Sequence, residues 1–173
     1  GILAAVAVAR EGYTVSIIEP VGRIGGLLGS GFRMQQDAPT GEHLGGLTVR
    51  HYLKDVALAP MKHYQAASHF NLREFNALID KYADRIKVYT NHRVISVERT
   101  NAKLTSATFE YAPQDENGVP APFRASDDFL VVSSKVFIDA SYEGDLMALA
   151  GVPYRIGKES RTEFGESLAG TVV

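Results

Sequence analysis

Small and aliphatic residues open the chain, GILAAVAVA at 1–9, and after Gly12 it passes directly into a β-branched stretch at 13–19, YTVSIIE, closed by Pro20. No other feature of the sequence restricts the fold as much. The Ala, Val and Leu residues with a glycine behind them predict a short buried helix over 1–11 ended by a glycine cap. The β-branched run predicts a strand. A helix of small residues followed by an apolar strand that ends in an acid is the second half of a βαβ unit, the building block of parallel sheets covered by helices. The strand expected before Gly1 is absent, so the chain is read as starting inside that unit.

The same order returns further along. Residues 71–83 carry Leu72, Phe75, Leu78, Ile79 and Tyr82 at helical intervals, with Asn71 as the expected cap. They lead into IKVYT at 86–90, a short strand, so a second helix-to-strand crossover is predicted. Residues 94–99 and 103–111 alternate about a turn at Asn101 and Ala102 and predict an antiparallel hairpin. A Pro- and Gly-containing connection at 112–127 and strands at 129–133 and 135–138 complete an expected β-meander over 94–138. Residues 21–32 hold five glycines and predict a loop with no regular element. A mixed helical pattern over 47–58 predicts one more helix.

Composition narrows the class. Of 173 residues, 45% are hydrophobic, with a formal net charge of −2 and no block of basic residues, which argues against a nucleic-acid partner. There is no cysteine, so no disulfide, thiolate metal site or thiol nucleophile exists. The apolar start lacks a basic leader region and is too short to span a bilayer. The default compartment is the cytoplasm, the upstream sequence that would hold a leader being absent.

The chemistry of the first unit centres on Glu19. A carboxylate at the end of such a strand accepts hydrogen bonds from both hydroxyls of an adenosine ribose and repels a 2′-phosphate, which disfavours NADP. Gly1 stands where the last glycine of a GxGxxG turn would let the helix pack closely on the sheet. Arg23, Gly25 and Gly26 follow Glu19 and Pro20, in a place suited to bringing main-chain N–H groups and one cation to a pyrophosphate. The plain alternatives are a strand-end acid capping a turn and an ordinary glycine-rich loop.

Together with DASYEGDLMALAG at 139–151, VPYRIGKESR at 152–161 and FGESLAG at 164–170, these residues give a chain that resembles FAD-dependent oxidoreductases over 1–170. The Arg23–Gly26 segment is similar to the second fingerprint of the glutathione-reductase-like flavoproteins. The resemblance implies an α/β fold, a partial Rossmann-type FAD-binding domain with an antiparallel β-meander. In that scheme 1–173 is an incomplete FAD-binding domain, and 32–70 is an insertion or substrate-side segment.

It further implies that FAD is held by Gly1, Glu19, Pro20, Arg23, Gly25 and Gly26, with Ser30 and Gly31 toward the flavin. Val94 would follow the third parallel strand and offer its main chain to adenine. Ala140 and Ser141 would let the backbone pass close to the cofactor. Gly144 and Asp145 precede a helix, and Asp145 reads equally as its cap or as a hydrogen-bond partner of the cofactor. Tyr142 and Glu143 suit covering a ring and holding a proton, although packing explains them as well.

No catalytic side chain is assigned, because a flavin carries the redox chemistry and the protein supplies orientation and electrostatics. The five histidines, His43, His51, His63, His69 and His92, lack metal-ligand spacing. His43 and Arg50 are the places to seek contact with a small-molecule substrate. Arg161 and Glu163 suggest a surface ion pair. Two other functions fit the same grammar: an NAD-linked dehydrogenase, and a nucleotide-binding domain without redox activity.

Overall fold

A computed structural model describes residues 1–29, 45–48, 68–167 and 169–170. Helix α1 spans Ile2–Arg10 and buries Ile2, Ala5, Val6 and Ala9 along one face. Arg10 in the last turn complements the helix dipole. Gly12 follows with φ 92° and redirects the chain into strand β1, Val15–Ile18.

After Pro20 a loop leads to α2, Gly26–Gly29, a single helical turn. Residues 21–32 were expected to hold no regular element, and α2 is the correction. One isolated turn fixes several dihedrals for one hydrogen bond, so local sequence does not signal it. Two close approaches constrain it, one local and one tertiary: a Cβ on Gly29 would lie 2.5 Å from the Ile24 carbonyl oxygen, and one on Gly25 would lie 3.0 Å from the Phe75 ring. Gly25 also has φ 101°. Gly25 is therefore needed for α2 to close on its neighbour α3, and Gly29 for the turn to close on the Ile24 carbonyl.

Helix α3 covers Ser68–Asp80, and turns at 81–85 connect it to strand β2, Ile86–Tyr89. It starts three residues before the expected cap. Asn71 lies inside the helix at 4% exposure, so it is a buried helical residue and not a cap. The predicted helix over 47–58 lies, beyond Leu47 and Thr48, outside the described residues.

β1 and β2 pair in parallel, Val15 opposite Ile86 and Ile18 opposite Tyr89. Adjacent parallel strands need a long crossover, and the segment containing α3 provides it. Ile2, Ala5, Val6 and Ala9 of α1, Ile24, Phe75 and Ile79 of α3 and Ile86 of β2 form one apolar core under this sheet. Burying each large side chain there contributes about 1.5–3 kcal/mol.

β3 (His92–Thr100), β4 (Lys103–Tyr111) and β5 (Phe129–Ser133) form an antiparallel sheet in the order β3-β4-β5. Thr100 faces Lys103 across the turn, and Asn101 takes φ 57°, as a two-residue hairpin requires. Ala107, Phe109 and Ala112 are its buried residues. Arg93 fastens the 112–127 connection to this sheet, pairing with Glu110 and donating to the carbonyls of Ala121 (2.9 Å) and Pro122 (3.2 Å).

The strand expected at 135–138 does not form. No described strand lies beside the segment, and Val136 and Ile138 are 71% and 57% exposed. Alternation in sequence marks a segment able to pair, whereas a strand exists only once a ladder satisfies its N–H and C=O groups. α4 (Asp145–Leu149) and α5 (Arg161–Phe164) are short helices in the remaining chain. Glu163 pairs with Arg155 rather than with Arg161. The expected mixture of parallel α/β layers and an antiparallel meander is thus the observed architecture.

Candidate dinucleotide site

Glu19 stands where the two sheets meet. Its N–H donates to the Tyr89 carbonyl (2.8 Å), and its own carbonyl accepts from the His92 N–H (3.0 Å). The parallel pairing is thereby extended one residue past β1 and coupled to the first residue of β3. With the main chain held on both sides, the side chain has one place to go, and Oε1 accepts a hydrogen bond from the Val21 N–H at 3.3 Å. Burial raises the carboxyl above its usual range, and the charge of Glu143 raises it further. The Val21 hydrogen bond acts in the opposite direction. A half-buried carboxylate next to a second acid favours ligands that bring hydrogen-bond donors without negative charge, such as a ribose diol.

The facing wall is the segment 139–145. Asp139 Oδ1 accepts from both the N–H (3.0 Å) and the hydroxyl (2.6 Å) of Ser141, and Oδ2 accepts from the Met147 N–H (2.9 Å). Ser141 Oγ in turn accepts from the Gly144 N–H (2.9 Å). Partial burial of the Asp139 carboxyl works to raise its pKa, but the bonds from Ser141, Met147 and Leu146 outweigh it and hold the group below the usual carboxylate range. These bonds fix the turn and supply an anion to the first turn of α4.

Asp145, read from sequence as either a cap or a cofactor partner, is the first residue of α4 and makes no side-chain cap bond. The cap reading is therefore corrected: the acid that takes up the helix amides is Asp139. No sequence signal of ordinary reach would have singled it out, since its partner is eight residues on.

The two walls approach each other through small residues. A Cβ placed on Gly1 would contact the Ala140 Cβ at 3.6 Å, and one on Gly26 would come 4.0 Å from the Tyr142 ring. Gly1, Glu19, Gly26, Ala140 and Glu143 are thus brought to one place. Pro20 and Arg23 lie on the exposed loop between β1 and α2, and Arg23 has no ion pair among the described residues. Gly25 abuts Phe75 and has φ 101°, so packing and backbone conformation both require glycine there. Ser30 and Gly31 lie outside the described residues, as do His43, Arg50, His51 and His63.

Val94 follows β2 in the chain and lies in the expected hairpin strand. It stands within β3 in register with Phe109, and the residues that directly follow β2 are Thr90, Asn91 and His92. Asn91 was missed. It has φ 59°, donates its N–H to the Val21 carbonyl (3.1 Å) and accepts from the Ala112 N–H (2.8 Å), tying the loop after Glu19 to the meander. Its Oδ1 is buried without a hydrogen-bond partner among the described residues. An asparagine just past a strand is among the few residues that tolerate the left-handed region, which was the available signal.

An acid fixed at the end of a parallel strand, with a glycine-bearing loop and a second wall of small residues beside it, defines a dinucleotide-binding α/β protein. The pattern of the whole sequence makes the class specific. Residues 1–173 match the model of the family described as FAD dependent oxidoreductase, and the chain belongs to that family. No curated protein and no solved structure matches it. The protein is an FAD-dependent oxidoreductase, which decides against the NAD-linked and non-catalytic readings. No helix among the described residues is long and apolar enough to cross a membrane.

Proposed function

We propose that FAD lies across the ends of β1 and β2, between the loop that follows Glu19 and the turn at 139–145. Glu19 accepts hydrogen bonds from the adenosine ribose, Val21 engaging only Oε1 of its carboxylate among the described residues. The Gly26 backbone, which carries no Cβ, admits the pyrophosphate, Gly1 lets α1 start close beside it, and exposed Arg23 neutralises part of the phosphate charge. Pro20, Gly25 and Gly144 shape the loops, Ala140 and Ser141 line the second wall, and Ser30 and Gly31 lead toward the flavin. Val94 of β3 offers its main chain to adenine.

Bound FAD supplies the redox chemistry, taking up a hydride or electrons from a small organic substrate. The side chains described here bind and orient the dinucleotide and exclude water. Residues 32–70, placed after the Ser30-Gly31 pair, form the substrate-side segment in this scheme, with 94–138 as the meander. The observation that carries the proposal is the Glu19 carboxylate, anchored by Val21 and faced by Glu143. The test is the visible absorbance of the full-length protein, wild type and Glu19→Ala. A flavin spectrum in the wild type that is lost or weakened in the variant is expected, whereas equal FAD binding by both would overturn the assignment of Glu19.

A further inference from the structure

Tyr142 is 77% exposed, although the turn that carries it is held from both sides. Asp139 binds Ser141 twice and Met147 once, and Ser141 binds Gly144, so residues 142 and 143 sit on a backbone with little freedom. Packing does not explain the ring, since most of its surface faces solvent. It makes no hydrogen bond among the described residues.

A single exposed aromatic on a surface would mean little. Two relationships give this one a direction. The ring edge lies 4.0 Å from where a Gly26 Cβ would stand, at a residue whose own backbone is exposed and has φ 53°. The adjacent Glu143 is close enough to Glu19 to act on its charge. The turn therefore extends from the acid at the end of β1 to the start of α2, with Tyr142 on the α2 side.

We infer that Tyr142 is a cofactor-contacting residue whose ring covers the dinucleotide where it passes between Glu19 and Gly26. This rests on the FAD placement proposed above. An aromatic ring covers sugar and phosphate linkage at low entropic cost, having two side-chain torsions to fix, and shields the Glu19 and Arg23 interactions from water. The ring, rather than the hydroxyl, carries the effect.

The experiment compares the full-length wild type with Tyr142→Phe and Tyr142→Ala, measuring FAD affinity and release by flavin fluorescence. Tyr142→Ala is expected to weaken binding roughly tenfold, mainly through faster release, and Tyr142→Phe to stay within about twofold of wild type. Thermal unfolding without FAD should be unchanged in both variants because the side chain is exposed. An altered apo melting temperature with unaltered affinity would make the role structural and overturn the inference.

The sequence contains no tryptophan, so Tyr142→Trp introduces a unique fluorophore. ADP, which does not absorb indole emission, should quench it by contact. Wild-type binding with an unaffected Tyr142→Ala variant sinks this inference alone. A wild-type protein that stays colourless with added FAD sinks the placement beneath it.

Discussion

Asp139 accepts a hydrogen bond from the Met147 N–H at 2.9 Å, so the first turn of α4 is held by an acid eight residues upstream. The same carboxylate binds Ser141 through its other oxygen. One side chain thereby joins the segment 135–139, the turn that faces Glu19 and the helix that follows.

Replacing Asp139 should loosen all three. Asp139→Ala is expected to destabilise the protein by about 1–2 kcal/mol, the usual loss for a helix-capping side chain. The pH dependence has a fixed sign. Because the folded-state pKa is depressed, the stabilisation is present above the ordinary value of 3.8 and is lost as pH falls through the folded value. Urea melts at neutral and acid pH should show the wild type and Asp139→Ala converging at low pH; parallel curves would contradict the cap.

Glu19 has the opposite linkage. Its folded pKa is raised, so its contribution to folding is complete below the ordinary value of 4.5 and is lost as pH climbs through the folded value. Glu19→Gln is therefore expected to stabilise the protein slightly at neutral pH without FAD while weakening FAD binding. Melts with and without FAD separate the two effects. A variant that loses stability under both conditions would show that the carboxylate serves the fold.

Gly29→Ala brings a Cβ to within 2.5 Å of the Ile24 carbonyl oxygen, and the backbone around α2 must move. A loss of about 1–3 kcal/mol is expected, the range for overpacking a tight site, and it should be independent of FAD. Gly1→Ala, where the nearest atom is the Ala140 Cβ at 3.6 Å, should leave stability nearly unchanged and reduce FAD affinity instead. Chemical denaturation paired with FAD titration distinguishes these positions.

Arg23 is exposed and unpaired among the described residues, so Arg23→Ala should change stability by less than about 0.5 kcal/mol. Its effect belongs to binding. FAD affinity is expected to fall several-fold and to become less sensitive to salt, because one screened attraction to phosphate is gone. An unchanged salt dependence would place Arg23 away from the pyrophosphate.

Much of the frame was legible from local pattern. The Ala-rich run of α1, the β-branched residues of β1, the periodicity of α3 and the Asn101 turn each depend on neighbours within a few residues, so the sequence expresses them directly. The failures have a common origin in distant partners. Asn71 looked like a cap because the residues before it carry little apolar signal, yet the helix runs back to Ser68 and buries it. Residues 135–138 alternated as a strand should, and no described strand accompanies them.

The sequence by itself determined the order of elements, the acid at the end of β1 and membership in the FAD-dependent oxidoreductases, because residue type, spacing and motif length carry that information along the chain. Only the tertiary structure decided that Gly25 is required by the packing of α2 on α3 and Gly29 by the Ile24 carbonyl, that Asp139 and not Asp145 holds α4, and that Asn91 joins the loop after Glu19 to the meander. Each of those roles is set by an atom supplied from elsewhere in the fold. The identity of a side chain states what it is able to bond, and the surrounding structure selects which partner it reaches.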